Sequence, residues 1–260
     1  MMLGMLLARA GASVVVLEKH ADFLRDFRGD TLHPSTLEVM HELDLFEGLQ
    51  RLPHQKVHQM SAGIGDSETP VADMSHLPVR SPYIMMMPQW DFLDFLKREG
   101  ERHPGFRGLM STRATGLIGE GGSIVGITAE GPDGPLEIRA RLVVGADGRR
   151  SDMRKAAALE VEELGAPIDV LWFRLPRNPE DTEESAGRFE PGRLLVRIYR
   201  GDYWQCAYVI PKGAAQEVRG RGIEAFRRDF GAPLPFEAER ADALASFDDV
   251  SLLSVSVDRR

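Results

Sequence analysis

The sequence predicts an α/β fold with two regions, and three observations indicate it. Near the start, residues 2–10 have helical spacing and lead through Gly11 into a valine-rich run at 13–17. In the middle, the apolar run 142–146 ends in an acid and a basic, glycine-containing turn. Beyond residue 165, short alternating runs are typical of an antiparallel sheet. The first two observations predict an open α/β sheet, and the third predicts a separate sheet region.

The first predicted element is a helix, which Gly11 can end because glycine tolerates the left-handed conformation of a C-terminal cap. The strand that follows is of a buried type and ends at Glu18. In a Rossmann unit, an acid at the tip of the second strand binds a ribose hydroxyl, about 20 residues after a glycine-rich loop. Because 17 residues precede Glu18, we expect the glycine loop and the first strand to lie before Met1.

Between the two motifs, the spacing of apolar residues predicts helices at about 34–43 and 90–102. Glycine-rich turns between alternating segments predict a three-stranded meander over 112–141. Residues 53–88 are irregular and punctuated by proline, with 57–64 as the best strand candidate. We interpret this stretch as part of a second structural layer, from which the chain returns to the first region with the helix at 90–102.

The segment 142–154 is the strongest candidate for a ligand site. Its apolar run is predicted to be a strand, and Asp147 follows at the carboxyl end, which is the edge that faces the ligand crevice in open α/β sheets. Ser151 can cap a helix that starts at Asp152. Three basic side chains are expected near this carboxylate: Arg149, Arg150 and Arg154. The carboxylate could accept hydrogen bonds from ligand hydroxyls while the basic side chains bind phosphates.

The second half of the chain predicts an antiparallel sheet covered by one helix. The helix is expected at about 216–230, and the acid- and proline-rich segment 178–191 is expected to be a mobile loop. The aromatic residues of the late strands could line a flat substrate or could equally belong to the core. The predicted strands are 168–175, 193–199, 203–210 and 251–257.

Composition excludes several classes of function. The 32 Lys and Arg residues against 40 Asp and Glu residues give a net charge of −8, which argues against a nucleic-acid surface and favours small-molecule partners. Cys206 is the single cysteine, so an internal disulfide is impossible and a cytoplasmic location is expected. No secretion signal or stable membrane insertion is predicted. His54 and His58 do not predict a metal site, because no suitable third ligand stands close by.

Four segments together resemble the class A flavoprotein monooxygenases, the FAD-dependent aromatic hydroxylases similar to 4-hydroxybenzoate hydroxylase. The matching segments are MLGMLLARAGASVVVLEKH, DFRGDTLHPSTLEVMHELDLFEGL, PQWDFLDFL and LVVGADGRRSDMR. The resemblance implies a glutathione-reductase-like, Rossmann-type FAD-binding domain at 1–56 and 88–160, and an antiparallel-sheet substrate domain at 57–87 and 161–260. It also implies that two FAD fingerprints lie outside the sequence: the G-x-G-x-x-G loop before Met1 and a Gly-Asp motif after Arg260.

The resemblance further implies which residues contact the cofactor. They are Glu18 with Lys19 beside it, Arg28, Gln89 and Asp147. Each has a simpler interpretation as well. Glu18 could be a solvated strand end, Arg28 could pair with a neighbouring aspartate, Gln89 could cap the helix from Trp90, and Asp147 could be an ordinary turn residue.

The activity that the resemblance implies is hydroxylation of an aromatic or related small hydrophobic substrate. NADH or NADPH would reduce FAD, and the reduced flavin would capture O2 as a C4a-hydroperoxide. We predict no catalytic residue, because substrate activation differs among members of the family. Two alternatives remain open: a non-catalytic remnant of such an enzyme, and a flavin reductase of the same fold.

Overall fold

The computed structural model describes residues 1–24, 30–64, 67–148, 150–181, 185–231 and 238–259. The chain forms two compact units. Unit 1 comprises Met1–Lys56 and Val79–Val161, and unit 2 comprises Val57–Pro78 and Glu162–Arg260. Each unit therefore contains two separate stretches of the chain.

Eight α-helices and one short 3-10 helix lie within the described ranges. Among them, none is long and apolar enough to cross a membrane. The helices are α1 (Met2–Arg9), α2 (Pro34–Glu42), α3 (Phe46–Leu49), α4 (Gln89–Glu101), α5 (Asp152–Ala156), α6 (Ala215–Gly220), α7 (Ile223–Gly231) and α8 (Ala238–Ala241), and the 3-10 helix is Phe247–Asp249.

The strands of the same ranges form five sheets. In unit 1 and at its border they are β1 (Val14–Leu17), β2 (Thr31–Leu32), β3 (Gln55–Val57), β6 (Ile84–Met86), β7 (Phe106–Leu109), β8 (Arg113–Glu120), β9 (Ser123–Gly131) and β10 (Gly134–Arg139). In unit 2 they are β4 (Gln59–Ile64), β5 (Ser67–Asp73), β11 (Glu162–Glu163), β12 (Ile168–Pro176), β13 (Ala186–Glu190), β14 (Arg193–Tyr199), β15 (Tyr203–Pro211), β16 (Ser251–Ser254) and β17 (Asp258–Arg259).

A parallel strand pair organises unit 1. Strand β1 pairs with β7 from Val14 opposite Phe106 to Leu17 opposite Leu109, and helices α1 and α4 pack against each other and against this pair. A β-carbon at Gly4 would clash with a Val16 methyl group, so this glycine allows α1 to approach the strand closely. The predicted order of helix, glycine turn and strand at the N-terminus is confirmed.

The core of unit 1 lies among α1, α2, α3, α4 and β6. Buried side chains from these elements form one cluster, which includes Met5, Leu37, Met40, Leu49, Met85, Met87, Phe95 and Leu96. The helices predicted at 34–43 and 90–102 are confirmed within one residue at each end. The predicted meander is also confirmed, as an antiparallel sheet in the order β10-β9-β8.

The strand predicted at 142–146 is wrong. No described residue of this segment is in a strand, and Leu142 and Val144 are 74% and 54% exposed. An apolar run becomes a strand only where a neighbouring strand supplies hydrogen bonds to its backbone. Within the described part of the chain, this segment has no such neighbour.

Unit 2 is built on a seven-stranded sheet in the order β16-β12-β15-β14-β13-β4-β5. Its neighbouring strands are antiparallel except β13 and β4, which are parallel. Alternate residues of β12, β14 and β15 face α6 and α7, as the period of two along a strand requires. This face holds the core, which includes Leu171, Phe173, Leu195, Trp204, Cys206, Tyr208, Phe226 and Phe230.

The central strands of unit 2 are confirmed, but three other expectations are wrong. The predicted helix at 216–230 is divided into α6 and α7 by Gly222, whose φ of +85° is left-handed. The predicted loop 178–191 contains β13, which is paired on both sides. The last predicted strand ends at Ser254 instead of Val257.

Candidate functional site

Glu18 lies directly after β1, at the carboxyl end of the parallel pair. Its backbone N–H donates to the carbonyl of Leu109 at 2.9 Å, and its carbonyl accepts the N–H of Thr112 at 2.8 Å. Its Oε1 accepts the backbone N–H of His20 at 3.0 Å. The side chain is half-buried, whereas Lys19 is exposed. The Glu18 carboxylate is therefore held at the edge where an open α/β sheet binds its ligand.

The N-terminus of α1 lies near the Glu18 carboxylate. Burial lowers the pKa of the Met1 amino group, and the negative charge of Glu18 opposes that shift. Helix α1 packs against β1, the strand that Glu18 follows. The Glu18 carboxylate and the first residues of α1 therefore lie in the same part of unit 1.

Asp147 holds the turn that leads into α5. Its Oδ1 accepts the hydroxyl of Ser151, and its Oδ2 accepts the N–H of Met153 at 3.1 Å. Burial raises the pKa of Asp147, but these hydrogen bonds outweigh it and hold the pKa below its usual value. The turn also requires Gly148, whose φ is +84°. The structural interpretation of Asp147 therefore has direct support, while an ionised carboxylate keeps lone pairs for a ligand.

The Arg113–Asp152 ion pair connects the neighbourhoods of Glu18 and Asp147. Arg113 follows Thr112, which is bonded to Glu18, and its Nη2 lies 2.8 Å from Oδ2 of Asp152 at the start of α5. Both side chains of this pair are well exposed, so it contributes little to stability. It nevertheless links the backbone beside Glu18 to the start of the helix that Asp147 leads into.

Ser151 is confirmed as the N-cap of α5, because its Oγ accepts the N–H of Arg154 at 2.9 Å. We expect Ser151→Ala to lower the free energy of unfolding by about 1 kcal/mol, the usual cost of losing such a cap. It should also raise the pKa of Asp147 towards its ordinary value, since one hydrogen bond to the carboxylate is lost. Urea unfolding and a side-chain NMR titration would measure the two effects, and Ser151→Thr should retain both properties. Unchanged stability of Ser151→Ala would contradict the assignment.

Gln89 is the first residue of α4, so it is not the residue that caps this helix. The N-cap is Pro88, and the backbone N–H of Gln89 donates to Oδ1 of Asp30 at 3.0 Å. Asp30 is buried. From the sequence, Asp30 was one of two neighbouring aspartates, with Asp26, that could pair with Arg28. Its contact with α4 was not predicted, because an acid 59 positions from the helix gives no local signal.

The remaining predicted residues are placed as follows. Arg28 and Arg149 lie outside the described residues. The His54 ring bonds to the Leu52 carbonyl, and no group of three or more metal-binding side chains occurs within the described ranges. Cys206 is buried, and burial raises the pKa of its thiol to about 12. Among the late aromatic residues, Phe173, Trp204 and Tyr208 belong to the core, whereas Trp172 and Tyr203 lie on the opposite face of the sheet.

An acid at the carboxyl end of a parallel strand pair is typical of nucleotide-binding α/β domains, and the chain also has a separate antiparallel-sheet unit. Residues 1–259 match the model of the family described as FAD binding domain, and the chain belongs to that family. The resemblance to class A flavoprotein monooxygenases is confirmed, as is the mixed α/β fold.

Two curated relatives are monooxygenases from Streptomyces. The chain is 30% identical over 257 residues to 6-methylpretetramide 4-monooxygenase of Streptomyces rimosus, which covers 97% of this chain and 61% of that enzyme. It is 32% identical over 181 residues to rifampicin monooxygenase of Streptomyces venezuelae, which covers 69% of this chain and 33% of that enzyme. The chain thus spans less than two thirds of the length of these relatives.

A solved structure has the same fold. It is the crystal structure of PqsL, a probable FAD-dependent monooxygenase from Pseudomonas aeruginosa. The TM-score is 0.77 at 23% identity, and the match covers 98% of this chain and 70% of that chain. At this identity, the likeness concerns the fold alone.

Proposed function

We propose that this chain is the FAD-binding and substrate-binding part of a monooxygenase that uses NADH or NADPH to hydroxylate an aromatic or related small hydrophobic molecule. The single observation that carries the proposal is the Glu18 carboxylate at the carboxyl end of the β1–β7 parallel pair in a chain of the FAD-binding family. The names of the two Streptomyces relatives favour a polycyclic or otherwise extended aromatic substrate over a simple phenol.

The residues of unit 1 fit FAD. The Glu18 carboxylate would accept hydrogen bonds from ribose hydroxyls. Asp147 would use its remaining lone pairs for a cofactor hydroxyl, and Gln89 would contact the cofactor from the start of α4. Arg28 and Lys19 would add positive charge near the phosphates or the flavin.

Bound FAD would supply the redox chemistry: two electrons pass from NAD(P)H to O2, one oxygen atom enters the substrate and the other leaves as water. The protein would orient the cofactor through Glu18 and Gln89, and it would exclude water from the reacting atoms. We assign substrate binding to unit 2. On the face of its sheet opposite the core, Trp172 lies opposite Ala207, and we assign contact with a flat ring to the Trp172 side chain.

The first experiment is a visible spectrum of the purified protein with added FAD, in which bound oxidised flavin shows bands near about 375 and 450 nm. NAD(P)H oxidation would then be followed with a panel of phenols and polycyclic aromatics, under air containing 18O2. Incorporation of 18O into a product would support the proposal. NAD(P)H oxidation with substrate reduction and no oxygen incorporation would favour the reductase alternative, and flavin binding without turnover would favour the non-catalytic one.

A further inference from the structure

We propose that Asp30 is a positioning residue that holds Gln89 in the orientation required for FAD, an inference that rests on the proposed function. Asp30 is 7% exposed and directly precedes β2. Its Oδ1 accepts the backbone N–H of Gln89 at 3.0 Å, and its backbone carbonyl accepts the N–H of Met87 at 2.9 Å. Asp30 therefore holds the residues on both sides of Pro88, which are Met87 and Gln89.

The local sequence cannot cap α4. Pro88 has neither an N–H group nor a side-chain acceptor, and it occupies the N-cap of this 13-residue helix. The first N–H groups of a helix need acceptors from elsewhere, and negative charge is favourable there because of the helix dipole. The Asp30 carboxylate, which is 59 positions away in the sequence, accepts one of these N–H groups and brings a negative charge to the start of the helix. A buried carboxylate is costly to keep without such bonds.

The segment before Gln89 is already fixed by the fold. Strand β6 pairs with β2, with Met86 opposite Thr31 and Met85 opposite Leu32. Met85 and Met87 are 0% and 1% exposed. The hydrogen bond from the Gln89 N–H to the Asp30 carboxylate also holds the first residue of α4 in place. Without it, the first turn of α4 can fray, and the half-buried Gln89 side chain loses a defined direction.

The test compares FAD dissociation constants, measured by flavin fluorescence, with the thermal unfolding of the cofactor-free protein. We expect Asp30→Ala to weaken FAD binding about tenfold, because a helix cap of ordinary strength is lost. Asp30→Asn should remain within about threefold of the wild type, because asparagine keeps the acceptor and is an equally good cap. The visible circular dichroism of bound flavin should change in Asp30→Ala and recover in Asp30→Asn.

Ser81→Ala is the matched control. Ser81 is 2% exposed in the same unit and bonds to the His41 ring at 2.8 Å, so its loss should lower stability without affecting FAD affinity. Equal weakening of FAD binding in Ser81→Ala and Asp30→Ala would overturn the proposal, as would wild-type affinity in Asp30→Ala. Should Asp30→Ala not fold, Asp30→Ser with its shorter acceptor takes its place in the same comparison.

A double-mutant cycle tests whether Asp30 acts through Gln89. In a Gln89→Ala background, replacement of Asp30 should cost little further FAD affinity, whereas additive losses would overturn the inference. Failure of the wild-type protein to bind FAD would instead overturn the proposed function, and the inference with it. The two failures are therefore distinguishable.

Discussion

Replacing Arg240 by Ala is expected to lower the free energy of unfolding of unit 2 by about 3 kcal/mol. Arg240 forms a bidentate pair with Asp181, at 2.6 Å and 2.9 Å, and the two side chains are only 13% and 15% exposed. Removal of one partner leaves the other charge poorly solvated, which costs roughly 3–5 kcal/mol for buried pairs. We expect the lower end of this range because both side chains retain some contact with water.

The Asp181 carboxylate gives this prediction a second, pH-dependent part. The bond from Arg240 lowers the pKa of Asp181 to about 2, below its value in an unfolded chain, so the stabilisation is present above about pH 4. It is lost as the pH falls from about 4 towards 2. The difference in stability between wild type and Arg240→Ala should therefore narrow over this interval.

Urea unfolding followed by tryptophan fluorescence would measure both effects, because the Trp204 indole N–H donates to Asp181 at 3.3 Å. Arg221→Ala provides the control. Its ion pair with Asp229 lies in the same unit but involves an arginine that is 47% exposed, so its loss should cost at most about 1 kcal/mol. Equal destabilisation by the two arginine replacements would contradict the assignment of a special role to Arg240.

The parts of the fold that sequence reasoning predicted well are those with a strong local signal. Helices α2 and α4 have apolar faces with helical spacing, and β14 was predicted with the bounds that the structure gives. Glycine turns defined the meander because tight antiparallel turns need them. In each case, the residues that determine the element lie within the element or directly beside it.

The parts that were predicted wrongly depend on residues far away in the sequence. Segment 142–146 has a strand-like composition, but a strand also needs a paired neighbour. The acid- and proline-rich composition of 178–191 suggested a loop, whereas β13 gains partners on both sides and Asp181 is held by Arg240. The Asp30–Gln89 and Asp181–Arg240 contacts each span 59 positions, and a single sequence carries no signal for such pairs.

The candidate site shows the same division. Glu18 was recognisable because the strand, the acid and the preceding helix are contiguous in the sequence. Asp147 was recognisable for the same reason, although the structure also gives it the structural task of holding the turn before α5. The cofactor roles of both residues, and those of Lys19, Arg28 and Gln89, stay predictions that binding measurements must test.

Glu18→Ala is expected to weaken FAD binding by roughly 100-fold, or about 3 kcal/mol, because two charge-assisted hydrogen bonds to ribose hydroxyls would be lost. Folding should be little affected. The N–H of His20 loses a side-chain acceptor, and this amide lies at an exposed position where water can replace the carboxylate.

Equilibrium titration with FAD and thermal unfolding of the cofactor-free protein would separate these two effects. Glu120→Ala is a suitable control, because Glu120 is an exposed acid of the same unit whose partner, Arg139, lies on the meander. Glu18→Gln should fall between wild type and Glu18→Ala, since an amide oxygen accepts hydrogen bonds but carries no charge. Wild-type affinity in Glu18→Ala would remove the ribose assignment. Because the other residues that we assign to the cofactor are unchanged in this variant, FAD binding should be weakened without being abolished.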